Sequence, residues 1–241
     1  MTAASPLTVS RFIPQNHAPL AALRNELVMF HLESGNAYRA KRLAECGSAA
    51  VPLLPASHPA SKWKQHCHLA ECPFCRSEAV RTWTTKAAKV DQSLSSSGLK
   101  SRMVTVALPD CSGGQELRDA VGELAASHSL LLKRRSYQRH ILGAARGIEC
   151  AEADTGLIHA HAHLLFLYHD GGDVLADLPA LLPSGFHSEA RDGVALASFG
   201  GYLGKTPAMS AQAWLDVVDA TESRAFVSLS GVLRKEWGSI T

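Results

Sequence analysis

The sequence has no large excess of charge: 24 Lys and Arg stand against 22 Asp and Glu, a formal +2. The global basic field of a polyelectrolyte binder is missing, so attraction to phosphate has to come from local clusters. It also lacks an apolar run long enough for a bilayer and an N-terminal apolar segment of the signal-peptide kind. No membrane partner and a cytoplasmic location are therefore expected. Aromatic residues are scarce at 6%, with only four Tyr, so each tyrosine can be weighed singly. What remains is ample for folding, since 241 residues with 46% hydrophobic content can bury a substantial core.

Six cysteines without a secretory signal point to reduced, metal-binding thiols rather than a disulfide framework. Cys46, Cys67, Cys72 and Cys75 form a C-x20-C-x4-C-Pro-Phe-C pattern. Two thiolates at C-x2-C spacing grip one tetrahedral ion and two more close the site, which predicts a structural zinc. His66 and His68 flank Cys67, and either can replace one thiolate. Arg76 and Arg81 follow directly, and Lys133-Arg134-Arg135 makes a second basic cluster; both are candidate DNA contacts.

Along the chain, Met1–His17 reads as a flexible leader and Gly47–Lys62, rich in Pro, Ser and Ala, as a loop. Helical spacing predicts helices over Ala18–Glu33, Ser77–Leu94, Gln115–His140, Ser198–Thr206, Ser210–Thr221 and Leu229–Trp237. Met103–Leu108, Gly143–Ala151 and Leu157–Tyr168 read as strands, and Asp170–Arg191 as a long loop. The expected class is α+β, an antiparallel sheet flanked by helices with an N-terminal zinc-binding segment. The expected division is a leader over 1–17, a helical four-Cys segment over 18–95 and a catalytic core with C-terminal helices over 96–241.

The densest chemistry lies in His159-Ala-His161-Ala-His163, which runs into Leu-Leu-Phe-Leu. Residues two apart on a strand share a face, so three imidazoles line one side of a strand anchored by its apolar tail. Asp154-Thr155-Gly156 before it fits a three-residue hairpin loop with Gly in the left-handed position. That register sets Glu149 opposite His161, with both side chains on one face. A carboxylate with His161 and His163 makes a mixed nitrogen–oxygen site suited to Mg²⁺ or Mn²⁺ bound together with a phosphate group. His159, at the outer end of the ladder, is the weaker candidate ligand.

Tyr202 and Lys205 stand at i and i+3, on one face of a helix. A phenol is a competent nucleophile toward phosphorus when the phosphate is polarised and a cation stabilises the phenolate.

The Cys quartet, the Thr-bearing strand Met103-Val-Thr-Val-Ala-Leu-Pro, the His ladder and the Tyr-x-x-Lys follow one another in an order that resembles the replication initiators of small rolling-circle plasmids. These belong to the wider group of His-hydrophobic-His endonucleases, and the likeness runs from about Arg42 to Trp237, tail Arg224–Gly231 included. The resemblance implies that Tyr202 nicks one strand of the plasmid origin and keeps the 5′ phosphate, with Lys205 assisting and Glu149, His161 and His163 holding the metal. It implies single-stranded or supercoiled origin DNA as substrate, and host helicase and polymerase as further partners. Two departures stand out. Related initiators often carry Glu four residues before the Tyr, linked to ending replication, where this chain has Ser198. The hydrophobic member of the triplet is only Ala162. Other readings stay open: a single-tyrosine transposase or mobilisation relaxase, a non-catalytic zinc-stabilised DNA-binding regulator, or a metal hydrolase or oxygenase.

Overall fold

The fold grows outward from the hairpin closed by Asp154-Thr155-Gly156. A computed structural model describes residues 18–46, 66–169, 187–203, 209–222 and 227–240. The Ala153 N–H donates to Leu157 O at 2.8 Å, the Gly156 N–H donates to Ala153 O at 2.9 Å, and Gly156 has φ +79°. A left-handed turn residue of this kind favours glycine. The turn joins β2 (Ile141–Glu152) to β3 (Ile158–Tyr168) in the register the sequence predicts, Glu149 opposite His161. β1 (Lys100–Ala107) lies antiparallel on the other side of β3, and β4 (His187–Asp192) and β5 (Val227–Ser230) form the edges. The sheet order is β4-β1-β3-β2-β5.

Helices cover both faces, which is why β3 ends in an unbroken apolar run rather than an alternating one. On one face Ile158, Ala160, Ala162, Leu164 and Phe166 pack against α4 (Gly114–Lys133), α7 (Ala211–Glu222) and the N-terminal helices α1 (Ala18–Glu33) and α2 (Ala37–Glu45). On the other, Leu165 and Leu167 join Met103 and Ala145 beneath α3 (Pro73–Leu94), α6 (Leu196–Leu203) and α8 (Gly231–Ser239). This second face is apolar only toward the end of β3; at positions 159, 161 and 163 the same row carries the histidines. No helix among the described residues is long and apolar enough to cross a membrane.

Three expectations about elements change. The helix over Gln115–His140 is two, because Arg134 is extended (ψ 132°) and α5 (Arg135–His140) starts afresh. The break seats Tyr137, 1% exposed, edge-on against Phe166 at 5.8 Å, and the burial of a large ring offsets the helical bonds given up there. The end of the supposed loop Asp170–Arg191 pairs with β1 as β4, whose polar His-Ser-Glu-Ala-Arg-Asp carries no apolar alternation because it is an edge strand. The start of the helix expected at Leu229 is strand, since Val227-Ser-Leu-Ser alternates with period two and pairs with β2. Helix α2 was not expected from the sequence; the Asn36 side chain accepts from the Arg39 N–H at 3.2 Å and starts it. The leader over 1–17 and the loop at 47–62 lie outside the described residues.

Candidate functional site

Glu149, His161 and His163 converge through the pairing of three strands. Glu149 faces His161 across β2 and β3, while His163 faces Thr105 on β1 and Gly147 on β2. Gly147, the β2 partner of His163, presents no side chain on this face. Glu149 Oε2 lies 3.1 Å from His161 Nε2 and 3.0 Å from His163 Nε2. The imidazoles meet edge to face, 4.9 Å between centroids. Three ligand atoms within 4.8 Å of one another can share one ion, so the triad is able to hold a metal. Burial pushes the Glu149 carboxyl upward, but the hydrogen bonds and charges of His161 and His163 outweigh it and bring it down to about 2. The carboxylate is therefore ionised at neutral pH, as a ligand must be.

The neighbours of the triad are as informative as its members. Thr105 Oγ1 lies 3.0 Å from His163 Nδ1. Asp110 Oδ1 lies 2.7 Å from His159 Nδ1, and His159 is not part of the converging group. Neither partner was expected from sequence, although the period-two row of β1 would have found Thr105 once β1 and β3 were paired.

Tyr202 belongs to α6, which packs on the same face of the sheet as the triad, through Leu196 and Phe199. Two features fix this helix on α3. Asp91 accepts from the Leu196 and Ala197 N–H groups at 2.9 and 2.8 Å, capping its start. A Cβ at Gly200 would lie 2.6 Å from the Trp83 ring, so only glycine lets the two helices approach this closely. The expected helix over Ser198–Thr206 is described as far as Leu203, and Lys205 lies outside the described residues.

The four cysteines also converge. Sγ separations are 3.4 Å for Cys46 and Cys72, 3.6 Å for Cys46 and Cys75, and 3.7 Å for Cys67 and Cys75. A tetrahedron of sulfurs around one ion at ~2.3 Å has edges of ~3.8 Å, so the spacing suits a shared metal. Free thiols fit the place poorly. Burial raises Cys72 and brings Cys67 to about 11. Burial also raises Cys46, but hydrogen bonds from Cys67 and the other thiols outweigh it and leave that group lowered. His66 Nδ1 stands 3.8 Å from Cys75 Sγ, beside the cluster rather than in place of a sulfur. Cys72 and Cys75 sit at the start of α3, whose helix dipole favours thiolate. Glu71, 3% exposed, meets Arg39 at 3.1 Å and His31 at 3.5 Å, and its carbonyl accepts from Trp214 Nε1 at 2.7 Å. One buried residue thus ties α1, α2 and α7 to the cysteine loop.

Among the basic candidates, Arg76 lies over the Trp214 ring at 5.1 Å, and Arg81 Nε donates to Glu78 at 2.9 Å. Lys133, Arg134 and Arg135 stand at the corner between α4 and α5, with Arg139 close behind.

Residues 60–171 match the family model described as replication protein. Neither a curated protein nor a solved structure matches the chain. The matched segment contains Cys67, Cys72 and Cys75, the Thr105 strand and the whole Glu149–His163 hairpin; Cys46 and Tyr202 lie beyond it. Over this segment, a little under half of the chain, the protein is similar to the replication-protein family.

Proposed function

We propose that the protein is a plasmid replication initiator, a metal-dependent endonuclease that nicks one strand of its origin and remains joined to the 5′ phosphate through Tyr202. The convergence of Glu149, His161 and His163 on one point carries the reading. Two nitrogens and one carboxylate oxygen leave coordination positions open, as a catalytic rather than a purely structural site requires. The ion is Mg²⁺ or Mn²⁺, which supplies charge to polarise the scissile phosphate. The Tyr202 oxygen attacks phosphorus in line, the P–O3′ bond breaks, the phenol gives up its proton and the 3′ oxygen gains one. Lys205 stabilises the phenolate. Because phosphodiester is exchanged for phosphotyrosine, the link can be resealed and the free 3′ hydroxyl can prime synthesis. The four cysteines hold a structural Zn²⁺, which leaves no open position for chemistry.

Nicking of a supercoiled plasmid carrying the cognate origin tests this reading. Mn²⁺ or Mg²⁺ should produce open circles with protein attached, and chelation should stop it; binding without nicking at any metal concentration would favour a DNA-binding regulator instead.

The basic corner at Lys133, Arg134 and Arg135 binds the DNA backbone. Replacing all three with Ala should weaken origin binding and make the dependence of log Kd on log salt shallower. The expected change is roughly 0.9 for each duplex phosphate the variant no longer neutralises. An unchanged salt slope in a filter-binding series would place the phosphate-binding surface elsewhere.

A further inference from the structure

We propose that Thr105 is the positioning residue of the metal centre, accepting the Nδ1 hydrogen bond of His163 so that Nε2 offers its lone pair to an ion shared with Glu149. The inference rests on the reading of Glu149, His161 and His163 as a metal centre. A neutral imidazole carries one N–H and one lone pair, and a ligand must turn the lone pair to the ion. In His163 the inward atom is Nε2, which donates to Glu149 Oε2 at 3.0 Å when no ion lies between them; an ion shared with Glu149 would need the Nε2 lone pair, which moves the proton to Nδ1. The ring is only 4% exposed, which leaves little access for bulk water to take that hydrogen bond. Thr105 Oγ1 meets Nδ1 at 3.0 Å instead.

The pairing is built into the sheet. Thr105 and His163 are direct partners in the β1–β3 ladder, so their side chains rise from the same spot on the same face. A β-branched side chain on a strand is restricted in χ1, which holds the hydroxyl in place. His161 provides a contrast within the same site: its Nδ1 is buried and has no hydrogen-bond partner among the described residues. The sheet therefore anchors one of the two imidazoles and leaves the other to follow the ion.

Thr105→Val removes the acceptor at nearly constant shape, and Thr105→Ser restores a hydroxyl. Mn²⁺ binding to the full-length protein, measured calorimetrically, should weaken 10–100-fold in the Val variant, the usual range for removing an outer-shell partner of a ligand. The Ser variant should return within about threefold of wild type. Imidazole ¹⁵N spectra with Mg²⁺ should show His163 protonated on Nδ1 in the wild type and in the Ser variant, and a mixture of tautomers in the Val variant. Equal Mn²⁺ affinity in wild type and Thr105→Val, or failure of Ser to rescue, overturns the role of Thr105 alone. Wild-type affinity retained in His161→Ala overturns the metal centre itself, and the inference with it.

Discussion

His161→Ala should lower Mn²⁺-dependent nicking by at least about a thousandfold, the loss of roughly 4 kcal/mol of transition-state stabilisation. The same substitution should leave the fold close to intact, because its ring is partly exposed and its Nδ1 satisfies nothing in the described residues. His163→Ala should abolish nicking as fully but cost stability as well. Its ring is buried, and its removal strips a partner from both Thr105 and Glu149. A penalty of about 1–3 kcal/mol is expected for leaving such groups unpaired. Paired measurements of nicking rate and thermal unfolding check both halves. Nicking at wild-type rate by either variant would remove the triad from the chemistry, and equal stability loss in both would contradict the asymmetry between the two rings.

The second large effect concerns the thiols. Cys72→Ser should eliminate zinc binding by the cluster and destabilise the chain by about 4 kcal/mol, or roughly 8–16 °C in Tm for a protein of this size. The cost is high because Cys46, Cys67 and Cys72 belong to the same core as Leu27, Leu43 and the sheet residue Ala160. Loss of the ion would therefore loosen the packing under the β2–β3 hairpin as well as the cysteine loop. The pH dependence has a definite sign. Burial holds Cys67 up at about 11, so zinc should bind only by displacing protons. As pH falls protons compete better, and affinity should drop by up to about tenfold per pH unit for each proton released. Metal analysis of the purified protein, with chelator titrations at several pH values, measures this. A full-length protein with no zinc, or with affinity independent of pH, would refute the assignment.

Much of this arrangement is legible in the sequence. The Asp154-Thr155-Gly156 turn dictates the register of the hairpin, and with a period of two the register dictates that Glu149 meets His161. The Cys spacing similarly implied one cluster. What stayed hidden depends on long-range packing. Thr105 reaches His163 only because β1 lies beside β3, a choice of neighbour that no local pattern states. Gly200 looked like one of two adjacent glycines, yet its meaning lies in the Trp83 ring of a distant helix. Nothing local in the sequence marks Glu71, whose partners come from α1, α2 and α7. Edge strand β4 was illegible because polar edge strands carry no hydrophobic alternation.

In the proposed reaction Tyr202, carried by α6 on the face of the sheet that holds the triad, becomes covalently joined to DNA. The most direct test is to incubate the protein with Mn²⁺ and a single-stranded oligonucleotide spanning the origin nick site, then digest and map the adduct by mass spectrometry. A 5′-phosphate linked to Tyr202 is expected, absent in Tyr202→Phe while origin binding by that variant stays close to that of wild type. An adduct that persists in Tyr202→Phe, or that maps to Tyr168 at the end of β3, would contradict it.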